Sequence, residues 1–429
     1  MTDGSPFTRA CGWVTLGSEG TRNAQTTRKK MNSSTSETTP SAKGDDPEAA
    51  SIRAELAKLQ PLLALDPQNL PLLRRCAALA VELREYPDAL VVASAALKVA
   101  PGDPEAMFHR ASALIGLKQF KEAAECLELL QAHGLAAPGI AINRALCHYM
   151  LNEFAEARAQ LDPLIAAGHE STDILRLGVS VRHHLGDIDA AIALADAHPD
   201  AGRDVGVAGV YALAYLDAAR APDAERFAAL ALATNADSVD GLVVQGTLAL
   251  ARMDTVPAEA AFRRVLELVP ANGRAWIGLG TIALLAQDLP KARDFLERGV
   301  KAMPMHVGSW HVLGWTHLVA GDLDSSEKIF RHALTLERNF AETHGALASV
   351  YALRGRVAEA RAEIALAERL DRAGLAARFA TAVLAAQAGN RAGASDLIRT
   401  TIAGLVPRVG VRAGRILAAS AQAGDRTRH

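Results

Sequence analysis

Aromatic side chains are scarce: four tryptophans, five tyrosines and ten phenylalanines make up 4% of 429 residues. Val/Ile/Thr alternation of the strand type is also scarce. Both shortages argue against a sheet fold, which fills its pleated faces from those residues. Cys11, Cys76, Cys126 and Cys147 form neither a CxxC pair nor a Cys/His set at metal-ligand spacing. No apolar stretch of signal-peptide type follows Met1, and no long uncharged apolar run occurs. Neither a signal peptide nor a membrane span is therefore expected, and the cytoplasm is the default compartment. The formal charge is only −2, so the chain as a whole is not built to bind polyanions.

Signatures of chemistry are missing as well. GxSxG, HExxH and EF-hand loops do not occur, and the glycine-rich "GRDVGVAG" (Gly202–Gly209) follows no strand and lacks GK[ST]. The histidines invite a metal reading at His183–His184 and at His306, His311, His317 and His344. Adjacent helical residues point about 100° apart, a poor chelate, and no metal motif supports the second group. No metal, no cofactor and no enzymatic activity are expected.

Half of the residues are hydrophobic and many segments are alanine-rich, which favours helix. At this length two or three domains, or a repeat array, are expected. Residues 1–50 are polar and rich in Ser and Thr, so they read as a disordered leader, with Met31 as the expected true start of translation. From Leu375 onward eight arginines stand against Asp396 and Asp425. That basic end suits an acidic partner or a lipid surface, or is simply a solvated face. Arginine far exceeds lysine (36 to 10), a composition that suggests a GC-rich bacterium.

One pattern returns along the chain. From Trp276 run Leu279, Gly280, Ala283, Ala292, Leu296 and Pro304; the same register holds Trp310, Leu313, Gly314, Ser326, Phe330 and Ala333. Upstream it holds Leu242, Gly246, Ala258, Phe262 and Pro270, and far upstream Leu73, Ala77, Ala80, Ala89, Ala93 and Pro101. The pattern resembles the tetratricopeptide repeat, W-x2-L-G-x2-Y…A-x3-F…P, a helix–turn–helix unit of 34 residues. Ten units are traced over residues 70–408, with 138–170 taken as one residue short and the next unit starting at 171. Residues 51–69 read as an N-terminal capping helix, and 409–429 as a C-terminal capping helix with a basic tail. The resemblance implies an all-α fold, a right-handed α-solenoid of about ten such units. Each unit's apolar stripe must be buried by its neighbours.

Trp310 and Trp315 lie five residues apart, so on a helix they point about 140° apart and one face cannot bury both. Trp310 takes the fourth position of its unit, where the family packs an aromatic, and is expected in the core. Positions 2, 5, 9, 12 and 13 of the first helix line the concave surface in the family. Carried onto this chain, they give Ile142, Tyr149, Leu175, Val243, Arg274, Ile277, Thr281, His311, Trp315, Leu318 and Phe379 as candidate partner-binding residues. Positions 12 and 13 are either contact residues or buried by adjacent helices. Trp315, Ile277 and Phe379 are expected to face a partner, so that substituting Trp315 should leave the melting temperature nearly unchanged.

That surface is mostly apolar. A groove that clamps a C-terminal carboxylate needs clustered Lys, Arg and Asn, and only Arg74 fits. No asparagine ladder repeats down the array, and RNA-reading repeats would need a basic groove with recurring polar residues. The resemblance therefore implies a non-catalytic scaffold or adaptor that holds a hydrophobic or amphipathic protein segment, with no nucleic acid partner. The alternative is a chaperone for a secreted or membrane-associated client. Arg182, Asp217 and Arg274 are expected to set the register of the bound segment.

Overall fold

The computed structural model describes residues 47–390 apart from Ala136 and Ala373. The proposed start at Met31, the basic tail and the C-terminal capping helix lie outside the described residues. So does the expected second helix of the tenth repeat. Helix α1 (Pro47–Leu65) begins inside the expected leader, where proline and Glu48 suit a first helical turn. The first four residues of that helix fall within the expected leader.

The first nine repeats are each a pair of helices, and the tenth is described through its first helix only. Even-numbered helices are the first of each pair: α2 (Leu70–Glu82), α4 (Pro104–Gly116), α6 (Pro138–Met150), α8 (Thr172–His184), α10 (Val205–Asp217), α12 (Val239–Ala251), α14 (Gly273–Leu285), α16 (Val307–Val319), α18 (Ala341–Leu353) and α20 (Leu375–Gln387). The second helices are α3 (Tyr86–Val99), α5 (Phe120–Ala132), α7 (Phe154–Ala166), α9 (Ile188–Ala197), α11 (Ala221–Thr234), α13 (Thr255–Leu268), α15 (Leu289–Ala302), α17 (Leu323–Leu336) and α19 (Val357–Leu370). No strand occurs among the described residues. The fold is an all-α solenoid.

Local chemistry sets these boundaries. Side chains at the residue before a first helix accept an N–H of its opening turn: Asn69 from Leu72, Asp103 from Ala106, Ser238 from Gly241 and Asn272 from Ala275. The turn inside each repeat places one residue in the left-handed region. Gly186, Gly321, Gly355 and Gly389 hold it in four repeats, and Arg84, Lys118, Asn152, Ala219, Met253 and Gln287 in the other six. Only glycine adopts that conformation without cost.

These turns correct the register. They fall 34 residues apart except between Gly186 and Ala219, so the short repeat begins at Thr172, not at residue 138. The missing residue is absorbed by α9, cut to ten residues and followed by a 3-10 turn at Pro199–Arg203.

The chain divides into two compact units, Met1–Leu230 and Ala231–His429. In the first, Phe108, Ile115, Leu127, Ile140, Leu161 and Leu177 belong to one core running through consecutive pairs. In the same unit Tyr215 stacks on Phe227 and Tyr211 meets it edge-on, and their hydroxyls donate to Asp196 Oδ1 at 2.7 Å and His198 O at 3.3 Å. In the second unit, Leu296, Val300 and Leu313 form one cluster, and Phe330, Leu347, Val350 and Tyr351 another. Gly or Ala at position 8 of every first helix but α8, which has Val179, lets the pairs close. A Cβ on Gly314 would lie 2.5 Å from the Phe330 ring, so any side chain there forces the ring away.

Candidate functional site

Positions are counted from the first residue of each first helix. The corrected register moves Leu175 to position 4, where it is buried at 2% exposure. Ile142, Val243, His311 and Leu318 keep their positions but are buried too. Ile142 lies within the core of the first unit, and His311 Nε2 meets Thr343 Oγ1 at 2.5 Å between α16 and α18. Those five residues are covered by neighbouring helices and cannot offer contact area to a partner. Tyr149, Arg274, Ile277, Thr281, Trp315 and Phe379 remain half-buried.

The two tryptophans divide their roles differently from expectation. Trp310 is only half-buried: its ring lies edge-on to His332 at 4.5 Å, and its indole N–H donates to Pro304 O at 2.8 Å. Trp276 donates likewise to Pro270 O at 2.9 Å, and His344 Nε2 lies 2.9 Å from Arg338 O. In each case the partner carbonyl is six residues back, so position 4 ties the first helix to the loop before it. An indole needs such a polar outlet for its N–H. Trp315, expected to stand free, packs edge-to-face on Phe330 at 5.9 Å and on Phe379 at 5.7 Å.

The first unit carries a polar row that the misplaced register concealed. His183 Nε2 is 2.7 Å from Asp217 Oδ2, joining α8 to α10. Tyr149 OH is 3.2 Å from His184 Nε2, and the His184 ring stacks on Phe154 at 4.5 Å. The pair Gly186–Asp187, matching Gly321–Asp322, is the sequence signal that would have set this register. Arg74, the one residue suited to a carboxylate clamp, is instead bound to Asp103, with its Nε 2.9 Å from Oδ1. The second group of histidines in the metal reading serves separately: His306 caps α16, His311 meets Thr343, His317 pairs with Asp322, and His344 with Glu363. Among the described residues no group of three or more His, Cys, Asp or Glu is placed to hold a metal. Among them, too, no helix is long and apolar enough to cross a membrane.

In the second unit the first helices are nearly without charge. Across α12, α14 and α16 the only Asp, Glu, Lys or Arg residues are Asp240 and Arg274, both at position 2. Half-buried Thr247 and Leu250 on α12, Thr281, Leu284 and Leu285 on α14, and Val319 on α16 occupy positions 9, 12 and 13. The second helices carry the charge: Glu259 pairs with Arg263 at 2.6 Å, Asp294 with Arg298 at 3.1 Å and Glu327 with Arg331 at 2.9 Å. The repeats α12–α13, α14–α15 and α16–α17 thus each have an apolar first-helix face and an ion-paired second-helix face.

A tetratricopeptide-repeat family model matches residues 77–137, 244–304 and 311–374, and a second model of the same repeat matches 138–163. A search of curated proteins returns no match. Among solved structures, the chain resembles YrrB, described as a TPR protein with an unusual peptide-binding site, at 19% identity and a TM-score of 0.32 over 44% of this chain and 97% of that one. It also resembles the APC/C hetero-tetramer Cut9–Hcn1, at 14% identity and a TM-score of 0.45 over 81% of each chain. With the 34-residue spacing of its helical pairs, these family matches show that the chain carries tetratricopeptide repeats.

Proposed function

We propose that the chain is a non-catalytic interaction protein that holds an apolar or amphipathic segment of a partner protein against the first-helix face of α12, α14 and α16. The observation that carries this reading is the contrast in charge. Three successive first helices offer half-buried Leu250, Leu284, Leu285 and Val319 with charge only at position 2, while the second helices are covered by ion pairs. An apolar face of that kind is a usual mark of a partner site. Burying one leucine-sized side chain contributes about 1.5–3 kcal/mol, so a few anchors reach micromolar affinity once ordering costs are subtracted. Arg274 would help fix the register of the bound segment.

The test compares two variants of the full chain on a tiled peptide array of the source proteome. Thr281→Arg puts a charge in the middle of the apolar row, and Arg263→Glu changes the opposite face. Apolar peptides lost by Thr281→Arg and kept by Arg263→Glu support the reading. Equal profiles for both variants contradict it.

A further inference from the structure

Two aromatic rings of this chain meet across the last repeats. Trp315 holds position 9 of α16 and Phe379 position 5 of α20, two repeats on. Their centroids are 5.7 Å apart with the planes at 79°. Between them in chain order, α18 carries Gly345 and Ser349 at positions 5 and 9, both too short to separate the rings.

Helix α20 is held firmly in place. Both carboxylate oxygens of Glu342 accept backbone N–H groups of its first turn, from Leu375 at 2.8 Å and Ala376 at 3.1 Å. Ser349 Oγ lies 3.3 Å from Ala376 O, and Gln387 Nε2 donates to Ala352 O at 2.8 Å. A Cβ added to Gly345 would strike the backbone of Ala377, so the two helices approach main chain to main chain. Phe379 is therefore a fixed feature of this face.

We infer that Phe379 is an internal occupant of the partner-binding face, taking the place beside Trp315 that an apolar anchor of a partner would otherwise fill. The inference rests on the reading of the first-helix face given above. It makes the open row run over α12, α14 and the near side of α16, and end at the Trp315–Phe379 pair. A bound segment stops there, and Phe379 determines where.

The experiment uses the full chain labelled with 5-fluorotryptophan and followed by fluorine NMR, with toluene as the first probe. Phe379→Ala should shift the Trp315 resonance, and toluene should then move it saturably, whereas in the wild type toluene leaves it in place. An emptied apolar site of this kind takes up small aromatics. The second probe is a fluorescein-labelled library of apolar twelve-residue peptides with a Phe or Trp at one end. Phe379→Ala should bind it about tenfold more tightly than wild type, the gain from one added anchor. If Phe379→Ala unfolds the last repeats, Phe379→Leu replaces it and should give a smaller gain in the same direction. An unmoved Trp315 resonance, or an unchanged peptide affinity, overturns the assignment. Thr281→Arg is run beside it. Loss of peptide binding there upholds the face, so that a failure of Phe379→Ala refutes only the occupant; unchanged binding refutes the face itself.

Discussion

The indole N–H of Trp310 donates to the carbonyl of Pro304, six residues back, at 2.8 Å. Trp276 makes the same bond to Pro270 one repeat earlier. Trp310→Phe keeps most of the ring and removes the donor, leaving the carbonyl of exposed Pro304 to water. The expected cost is about 1 kcal/mol, read as a lower midpoint in urea with an unchanged slope.

Trp315→Ala removes a ring packed on both Phe330 and Phe379. Because Trp315 is half-buried, the expected loss is about 2 kcal/mol, below the range for a fully buried tryptophan. Thermal melting of the second unit should drop clearly. An unchanged melting curve would mean that the ring stands free, as the sequence alone suggested.

Ala219 sits at φ +57°, in a turn position where four other repeats have glycine. Ala219→Gly relieves the left-handed strain at the expense of unfolded-chain entropy, and should raise stability by about 0.5 kcal/mol. Gly321→Ala runs the comparison in reverse at φ +81° and should lower it by about 1 kcal/mol. Denaturant midpoints of the two variants should therefore move in opposite directions.

Acid should loosen both units through buried histidines. Burial pushes His311 down from 6.5 to about 4, with Phe330, Phe340 and the Thr343 hydroxyl around its ring and no charged partner. His109, buried in the first unit, is likewise pushed to about 4, chiefly by burial. The unfolded chain takes up the proton first. Stability is thus full above pH 6.5, falls as pH drops toward 4, and levels off below it. The slope is at most about 1.4 kcal/mol per pH unit for each group. His311→Gln keeps a polar partner for Thr343 and should flatten the pH dependence of the second unit alone, measured by hydrogen exchange in α16 and α18.

The fold was legible because the repeat writes the same demands many times over. Leu279, Leu313 and Leu347 at position 7, small residues at position 8 of nearly every first helix and capping side chains before several of them do not depend on distant contacts. The one-residue slip at Thr172 arose because a shortened α9 and a 3-10 turn replace a full second helix, and apolar spacing alone tolerates a shift of one over a single repeat. Over that repeat the apolar spacing therefore places Leu175 on the surface, one position away from its buried place. The candidate site was less legible. Whether Val243 or Thr281 is open depends on the size of side chains one and two repeats away. Trp315 shows this most clearly: glycine and serine on α18 let Phe379 reach it, a relationship that spans 64 residues of sequence.

The central claim is that partners are held on the uncharged first-helix face of α12, α14 and α16. It is tested most directly by placing a photo-crosslinking amino acid at Thr281, and separately at Arg263 on the ion-paired face, in the full chain expressed in its own cells. The account predicts one discrete protein adduct from position 281, mapped by mass spectrometry to an apolar segment of that protein, and none from position 263. Adducts from 263 with none from 281 would put binding on the charged face and contradict the account.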